Sequence, residues 1–231
     1  MKTRKLSVKS SLSKTIDNVN EAYFFGYDFS EYDVDETVIM ILKTYDTKYS
    51  YNHSFGLTEK DFKSKLKTFT GEPLNSPASL RHIHAQEASR ALNILKKYTS
   101  VKMPELKMND DRFLKMLKNS EASGKPAGTF CCGPCTVSLW RNLTAGGLSG
   151  YYKNLNNGIS IMKLFRIGNG EWSRFPFYYS LSALYESGKL SNAKNEIEYA
   201  FDACKKKITR LKRDNVYSER RYELLRRILD M

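Results

Sequence analysis

The sequence lacks any long run of apolar residues. The longest, Val38–Leu42, is far shorter than the roughly 20 residues that cross a bilayer as a helix. Residues 1–14 contain several lysines and serines but no apolar stretch of the kind that a secretory signal carries. The sequence therefore predicts a soluble protein with no membrane insertion, which begins with a disordered basic leader over residues 1–14.

Strand patterns are also scarce, because no run of β-branched residues alternates over more than a few positions. Helical patterns are common instead. The pair Ser76-Pro77 is a strong helix start, and apolar residues then recur at spacings of three and four from Leu80 to Leu95. These patterns predict an all-α protein. An irregular helical region over residues 15–75 would precede helical hairpins over residues 76–231.

Cysteines are few and are not spread along the chain as in a disulfide-linked secreted domain. Three of the four, Cys131, Cys132 and Cys135, lie within five residues. This usage fits a cytoplasmic protein with reduced thiols. Basic residues exceed acidic ones and give a net charge of +13, which favours anionic partners.

Two segments of the second half match each other at an offset of 42 residues. Residues 128–134 (GTFCCGP) and 170–176 (GEWSRFP) share a glycine, an aromatic residue and a proline at equivalent positions. After each proline come a helical pattern, a break of small residues and a second helical pattern. Self-similarity near 40 residues is typical of helical repeat arrays, and it predicts two hairpin repeats over residues 128–169 and 170–211.

The glycine–aromatic turn before each helix, carried mostly by residues 170–184, resembles the repeat of α/α-toroid proteins such as terpenoid cyclases and protein prenyltransferases. In those families inner helices begin at such a turn and outer helices wrap around them. The resemblance implies a toroid-like array, and the number of predicted helices makes the ring incomplete. It implies no activity, because the Asp-rich cyclisation motif is missing and the prenyltransferase zinc ligands have no matched positions.

The segment Cys132–Cys135 (CGPC) has the same letters as the active-site tetrapeptide of thioredoxin. A thiolate at a helix N-terminus is stabilised by unpaired N–H groups and the helix dipole. The βαβ framework of thioredoxin is not predicted here, so three interpretations stay open. The cluster supports thiol exchange, or it binds zinc with Cys131 and His82 as further ligands, or it packs structurally. His82 is also a candidate general base.

Five aromatic side chains surround the start of the second repeat. They either line an apolar ligand pocket at the mouth of the inner helices or pack in the core: Trp172, Phe175, Phe177, Tyr178 and Tyr179.

The C-terminal segment is strongly basic, since residues 205–227 contain ten lysines and arginines against three acidic residues. Such a face either contacts nucleic-acid phosphates or is simply solvated. The phosphate-contact candidates are Lys206, Arg210, Arg213 and Arg220.

The sequence thus predicts a helical-repeat module that binds a small apolar ligand or a protein partner. A cysteine-dependent enzyme and a nucleic-acid-binding protein are the two alternatives, and the sequence leaves open whether the protein is an enzyme.

Overall fold

The computed structural model describes residues 4–231. Over these residues the chain forms α-helices joined by loops and short 3-10 turns, and no β-strand is present. The prediction of an all-α protein is confirmed. No helix among the described residues combines the length and the apolar character needed to cross a membrane. The helices are α1 (Leu12–Phe25), α2 (Val34–Leu42), α3 (Glu59–Phe62), α4 (Pro77–Leu95), α5 (Pro104–Ala122), α6 (Gly133–Thr144), α7 (Leu155–Ser160), α8 (Phe177–Glu186), α9 (Ser191–Ile208) and α10 (Val216–Leu229).

Helix α4 is the centre of the fold. It begins where the sequence predicts, because the Ser76 hydroxyl accepts a hydrogen bond from the backbone N–H of Ser79 and Pro77 opens the first turn. Helices α1, α2 and α6 pack around it. Fourteen of its residues are buried, and several of these are polar or charged. An interior helix of this kind needs internal partners for its polar side chains.

Two apolar clusters lie along α4. Its first turns, which contain Leu80 and Ile83, join a large cluster with residues of α6, α8, α9 and α10. Its later turns, which contain Leu92 and Leu95, join a second cluster with α1 and α2. Because the same helix contributes to both clusters, the N-terminal helices share their central support with the rest of the chain.

The first described residues belong to the second cluster. Leu6 is 1% exposed and Leu12 is fully buried, and the Ser11 hydroxyl caps α1 by accepting from the N–H of Lys14. Residues 4–14 therefore differ from the disordered leader that composition predicts, because two leucines among the lysines and serines find a packed surface. Residues 1–3 lie outside the described part of the chain.

The helices that begin at the two matched prolines, α6 and α8, pack against each other. Contacts near their starts and near their ends, such as the one between Thr144 and Ser187, show that they run in the same direction. Helix α9 follows α8 as predicted. The second helical pattern of the first repeat is instead broken into two 3-10 turns, Tyr152–Asn154 and Ile161–Phe165, on either side of the short α7. The repeat and the toroid arrangement stay predictions.

Two glycines explain why the chain bends around α7. Gly128 has a left-handed backbone with φ of 78°, which favours glycine. Gly158 of α7 lies against it so closely that a Cβ atom at position 158 would stand 2.2 Å from the carbonyl oxygen of Gly128. Only a residue without a side chain permits this contact, and it brings the loop before α6 down onto α7.

A buried carboxylate joins four helices at the centre of the molecule. Glu87 of α4 accepts hydrogen bonds from Arg141 of α6 at 2.6 Å and from Tyr179 of α8 at 2.6 Å. Its other oxygen accepts from Asn20 of α1 at 2.9 Å. Burial raises the pKa of Glu87, but the charges of Arg141 and Arg90 outweigh burial and hold it below its ordinary value.

Arg90 extends this network. Its guanidinium donates to the amide oxygen of Asn20 at 2.8 Å, to the backbone carbonyl of Arg141 at 2.7 Å and to the carboxylate of Glu186 at 2.9 Å. Both arginines are 1% exposed. Two buried cations are thus matched by two carboxylates, and each charge depends on its partners remaining in place.

Replacing Arg141 by Met should lower the free energy of unfolding by about 3–5 kcal/mol, because Glu87 loses its closest cation inside the core. Lys107→Met is the matched control. It breaks an exposed ion pair with Asp111 on α5 and should change stability by about 0.5 kcal/mol or less. Urea unfolding followed by circular dichroism measures both, and equal effects of the two substitutions would contradict the role given to the network.

Candidate functional site: a thiol cluster at the start of helix α6

The three clustered cysteines lie at the N-terminus of α6. Cys132 is the N-cap residue and Cys135 is the third residue of the helix. The preceding loop is tied to α6 by two hydrogen bonds. The N–H of Phe130 donates to the Thr136 hydroxyl at 3.1 Å, and the indole N–H of Trp140 donates to the carbonyl of Gly128 at 2.8 Å. The cysteines therefore occupy a fixed loop, at a helix end where backbone N–H groups lack helical partners.

The cysteines differ in exposure. Cys131 is exposed, Cys132 is half-buried and Cys135 is buried. The Sγ atoms of Cys132 and Cys135 are 3.2 Å apart, which is hydrogen-bonding distance for two sulfurs. All three thiols are free. A half-exposed sulfur in contact with a buried one is the arrangement that a dithiol needs to react with an outside molecule and then close on itself.

The pKa values of the Cys132 and Cys135 thiols are shifted in opposite directions. Hydrogen bonding with Cys135 is the main cause that lowers the pKa of Cys132 to about 6, and the nearby charge of Arg174 acts in the same direction. Hydrogen bonding with Cys132, together with burial, raises the pKa of Cys135 well above its ordinary value. Both shifts favour Cys132 over Cys135 as the thiolate, in agreement with its greater exposure and its position at the N-cap of α6.

His82 approaches the cluster from α4. Its Nδ1 atom is 3.7 Å from Sγ of Cys135. The imidazole is held between Tyr51 and Phe130, whose ring centroids lie 3.9 Å and 5.1 Å from its own. Burial lowers the pKa of His82, so the ring is neutral at pH 7. A neutral imidazole can accept a proton or bind a metal ion through Nδ1.

The cluster also has the donor set of a metal site. Nδ1 of His82 and the Sγ atoms of Cys131 and Cys135 all lie within 4.8 Å of one another. Thiolate and imidazole are the ligands that zinc prefers, and protein zinc sites supply three or four ligands at about 2.0–2.3 Å from the metal. The separations are therefore compatible with one zinc ion among the three side chains. His84, two residues further along α4, instead contacts the backbone carbonyl of Leu80 at 2.9 Å and takes no part.

Arg174 belongs to this site although the sequence did not single it out. Its guanidinium donates to the carbonyl oxygen of Cys131 at 3.4 Å. Its backbone lies against Gly133, where a Cβ atom would stand 2.0 Å from the Arg174 carbonyl oxygen. The signal was present, since Arg174 occupies the position equivalent to Cys132 at the 42-residue offset. Tyr51, which packs on the His82 ring, is the second site residue that the sequence did not single out, and no local sequence pattern marks it.

The aromatic candidates are mostly core residues. Trp172 is 5% exposed and donates its indole N–H to Glu196 at 2.8 Å. Phe175 stacks on Trp140 with ring centroids 5.5 Å apart, and Tyr179 is fully buried against Glu87. Phe177 and Tyr178 are only partly buried. Binding of an apolar ligand stays a prediction, and the three buried rings leave almost no surface for it.

The basic C-terminal candidates fall into two groups. Lys206 and Arg210 are exposed and line a surface cleft of about 420 Å³ beside Tyr178. Arg213 pairs with Glu219 at 2.8 Å. Arg220 is fully buried and donates to Asp17 at 2.6 Å, so it does not face solvent. Nucleic-acid binding stays a prediction, and Arg220 is not available to contact a phosphate because it neutralises acidic groups of α1.

No protein-family model, curated protein or solved structure matches this chain.

Cys132 should react with iodoacetamide at pH 6–7 faster than an ordinary thiol of pKa about 8.5, because its thiolate form is already populated at that pH. Mass spectrometry of the reduced protein would locate the label. Cys132→Ser should remove the fast reaction and Cys204→Ser should leave it unchanged, since Cys204 is buried. Bound zinc would delay labelling of its candidate ligands Cys131 and Cys135 until a chelator is added, whereas simple packing would delay labelling until denaturant is added.

Proposed function

We propose that this protein carries out thiol–disulfide exchange, with Cys132 as the attacking cysteine and Cys135 as the resolving one. The observation that carries the proposal is the 3.2 Å contact between the two sulfur atoms at the start of α6, with one sulfur half-exposed and the other buried. The framework differs from that of thioredoxin. The supporting elements here are two helices, α4 and α6, and a loop.

The first step belongs to Cys132. Its thiolate attacks one sulfur of a partner disulfide, so a bond forms between Cys132 and that sulfur while the partner's S–S bond breaks. The other partner sulfur leaves as a thiolate. Cys132 suits this role because it reaches the surface, and because the unpaired N–H groups of the first helical turn favour negative charge there.

The second step belongs to Cys135 and His82. Cys135 loses its proton to Nδ1 of His82, which is 3.7 Å away and acts as general base. Its sulfur then attacks Cys132, a disulfide forms between the two cysteines, and the partner's remaining sulfur leaves as a thiolate. Two electrons pass to the partner, and a small-molecule dithiol reductant returns the protein to its starting state.

A zinc ion held by His82, Cys131 and Cys135 is a second candidate for the same cluster. The observation that favours it is the convergence of one imidazole nitrogen and two sulfurs within 4.8 Å. Both Cys131 and His82 contribute to this set, whereas exchange alone has no use for Cys131. Zinc content of the protein purified under reducing conditions, measured by atomic emission, tests this candidate directly.

Reduction of a fluorescence-quenched disulfide peptide tests the exchange proposal. Cys132→Ser should abolish turnover, because no attacking thiolate remains. Cys135→Ser should stop after the first step and accumulate a mixed disulfide on Cys132, visible as added mass. His82→Ala should slow resolution by about 10²-fold, the contribution of a general base.

Cys204→Ser is the matched control, because Cys204 lies in α9 away from the cluster, and its turnover should equal that of the unchanged protein. Circular dichroism would establish that every variant keeps its helical content. Turnover of Cys132→Ser at the rate of the unchanged protein would refute the proposal.

A further inference from the structure

We infer that zinc binding and disulfide formation compete for Cys135, so that oxidation of the cluster releases the metal ion. This inference rests on the proposed thiol exchange and adds its regulation. Cys135 is the one side chain that belongs to both arrangements. It contacts Cys132 on one side and His82 on the other, and it lies within 4.8 Å of Cys131.

The distances between the donor atoms distinguish the zinc-bound arrangement from the one that leads to a disulfide. Two ligands of a tetrahedral zinc ion, at about 2.0–2.3 Å from the metal, stand roughly 3.5–3.8 Å apart. The 3.7 Å between Nδ1 of His82 and Sγ of Cys135 falls in that range. The 3.2 Å between the sulfurs of Cys132 and Cys135 is shorter, and a contraction of about 1.2 Å would bring it to the disulfide bond length of about 2.0 Å.

Cys131 and Cys132 each belong to only one of the two arrangements. Cys131 is exposed and supplies the sulfur that only the metal uses. Cys132 supplies the sulfur that only the disulfide uses, since its Sγ is not within the converging set. The fourth position on zinc is then left for water, as in zinc sites with three protein ligands. The rings of Tyr51 and Phe130 fix the imidazole in place for the metal.

Oxidation proceeds by two exchanges with a small-molecule disulfide such as oxidised glutathione. The Cys132 thiolate attacks that disulfide, forms a mixed disulfide and releases one glutathione thiolate. The Cys135 thiolate then leaves zinc and attacks Cys132, which forms the internal disulfide and releases the second glutathione thiolate. Two electrons move from the two protein sulfurs to glutathione. Zinc keeps only Cys131 and His82 and dissociates, and a dithiol reductant reverses the sequence.

The test starts from the reduced full-length chain loaded with Zn²⁺. Oxidised glutathione is added, zinc release is followed with a chromogenic chelator, and mass spectrometry counts the free thiols. One zinc ion should leave each chain in step with the loss of the Cys132 and Cys135 thiols. Cys132→Ser keeps all three metal ligands, so it should bind zinc equally well but release it at least roughly tenfold more slowly when oxidised.

Two further variants test which cysteines bind zinc. Cys131→Ser should weaken zinc binding by about tenfold or more. Loss of a metal ligand lowers the affinity at least as much as loss of a neighbouring group that orients a ligand. Cys204→Ser should bind and release zinc like the unchanged protein. Zinc release from Cys132→Ser at the unchanged rate, or a Cys132–Cys135 disulfide in protein that still holds zinc, would overturn the inference.

The two proposals fail in different ways. If the reduced protein binds no zinc but still reduces the disulfide peptide, the competition is refuted and thiol exchange stands. If Cys132→Ser reduces the peptide as well as the unchanged protein does, thiol exchange is refuted whatever the zinc measurements give.

Discussion

The arrangement of the helices depends on one buried carboxylate. Glu87 binds side chains from three other helices, and its charge is tolerated in the core because Arg141 and Arg90 lie beside it. Apolar packing alone would allow neighbouring helices to slide or rotate at small cost. A buried ion pair has a narrow geometry, since any shift leaves a charge without its partner. The network therefore fixes the register of α4 against α6 and α8.

That register positions the thiol cluster. His82 precedes Glu87 by five residues on α4, and Cys135 precedes Arg141 by six residues on α6. With a rise of 1.5 Å per residue, the contact between His82 and Cys135 lies about 8 Å from the contact between Glu87 and Arg141 along each helix. The two helices run in the same direction. The contact between Glu87 and Arg141 thus holds His82 opposite Cys135. A slip of one turn, about 5.4 Å, would separate the imidazole from the sulfur.

Local features of the site could be predicted from the sequence. The helix start at Ser76-Pro77 and the helix after Pro134 follow from capping and proline chemistry, which act over a few residues. His82 could be named as a candidate ligand from its residue type, but its contact with Cys135 could not be derived, because the two residues are 53 positions apart in the chain. The charge count likewise could not identify Arg220 as a core residue, since its partners Asp17 and Glu21 lie about 200 residues away.

Structural packing alone does not account for the clustered cysteines. Cys204 illustrates the packed case, because it is fully buried and burial raises its pKa to about 12. Cys131 is exposed and so contributes little to a core, while Cys132 lies at a helix start where negative charge is favoured. Only Cys135 has the burial of a packing residue, and it contacts both a second thiol and an imidazole. The three cysteines therefore have three different environments, and one of them contacts an imidazole, which supports the proposed chemistry at this helix end.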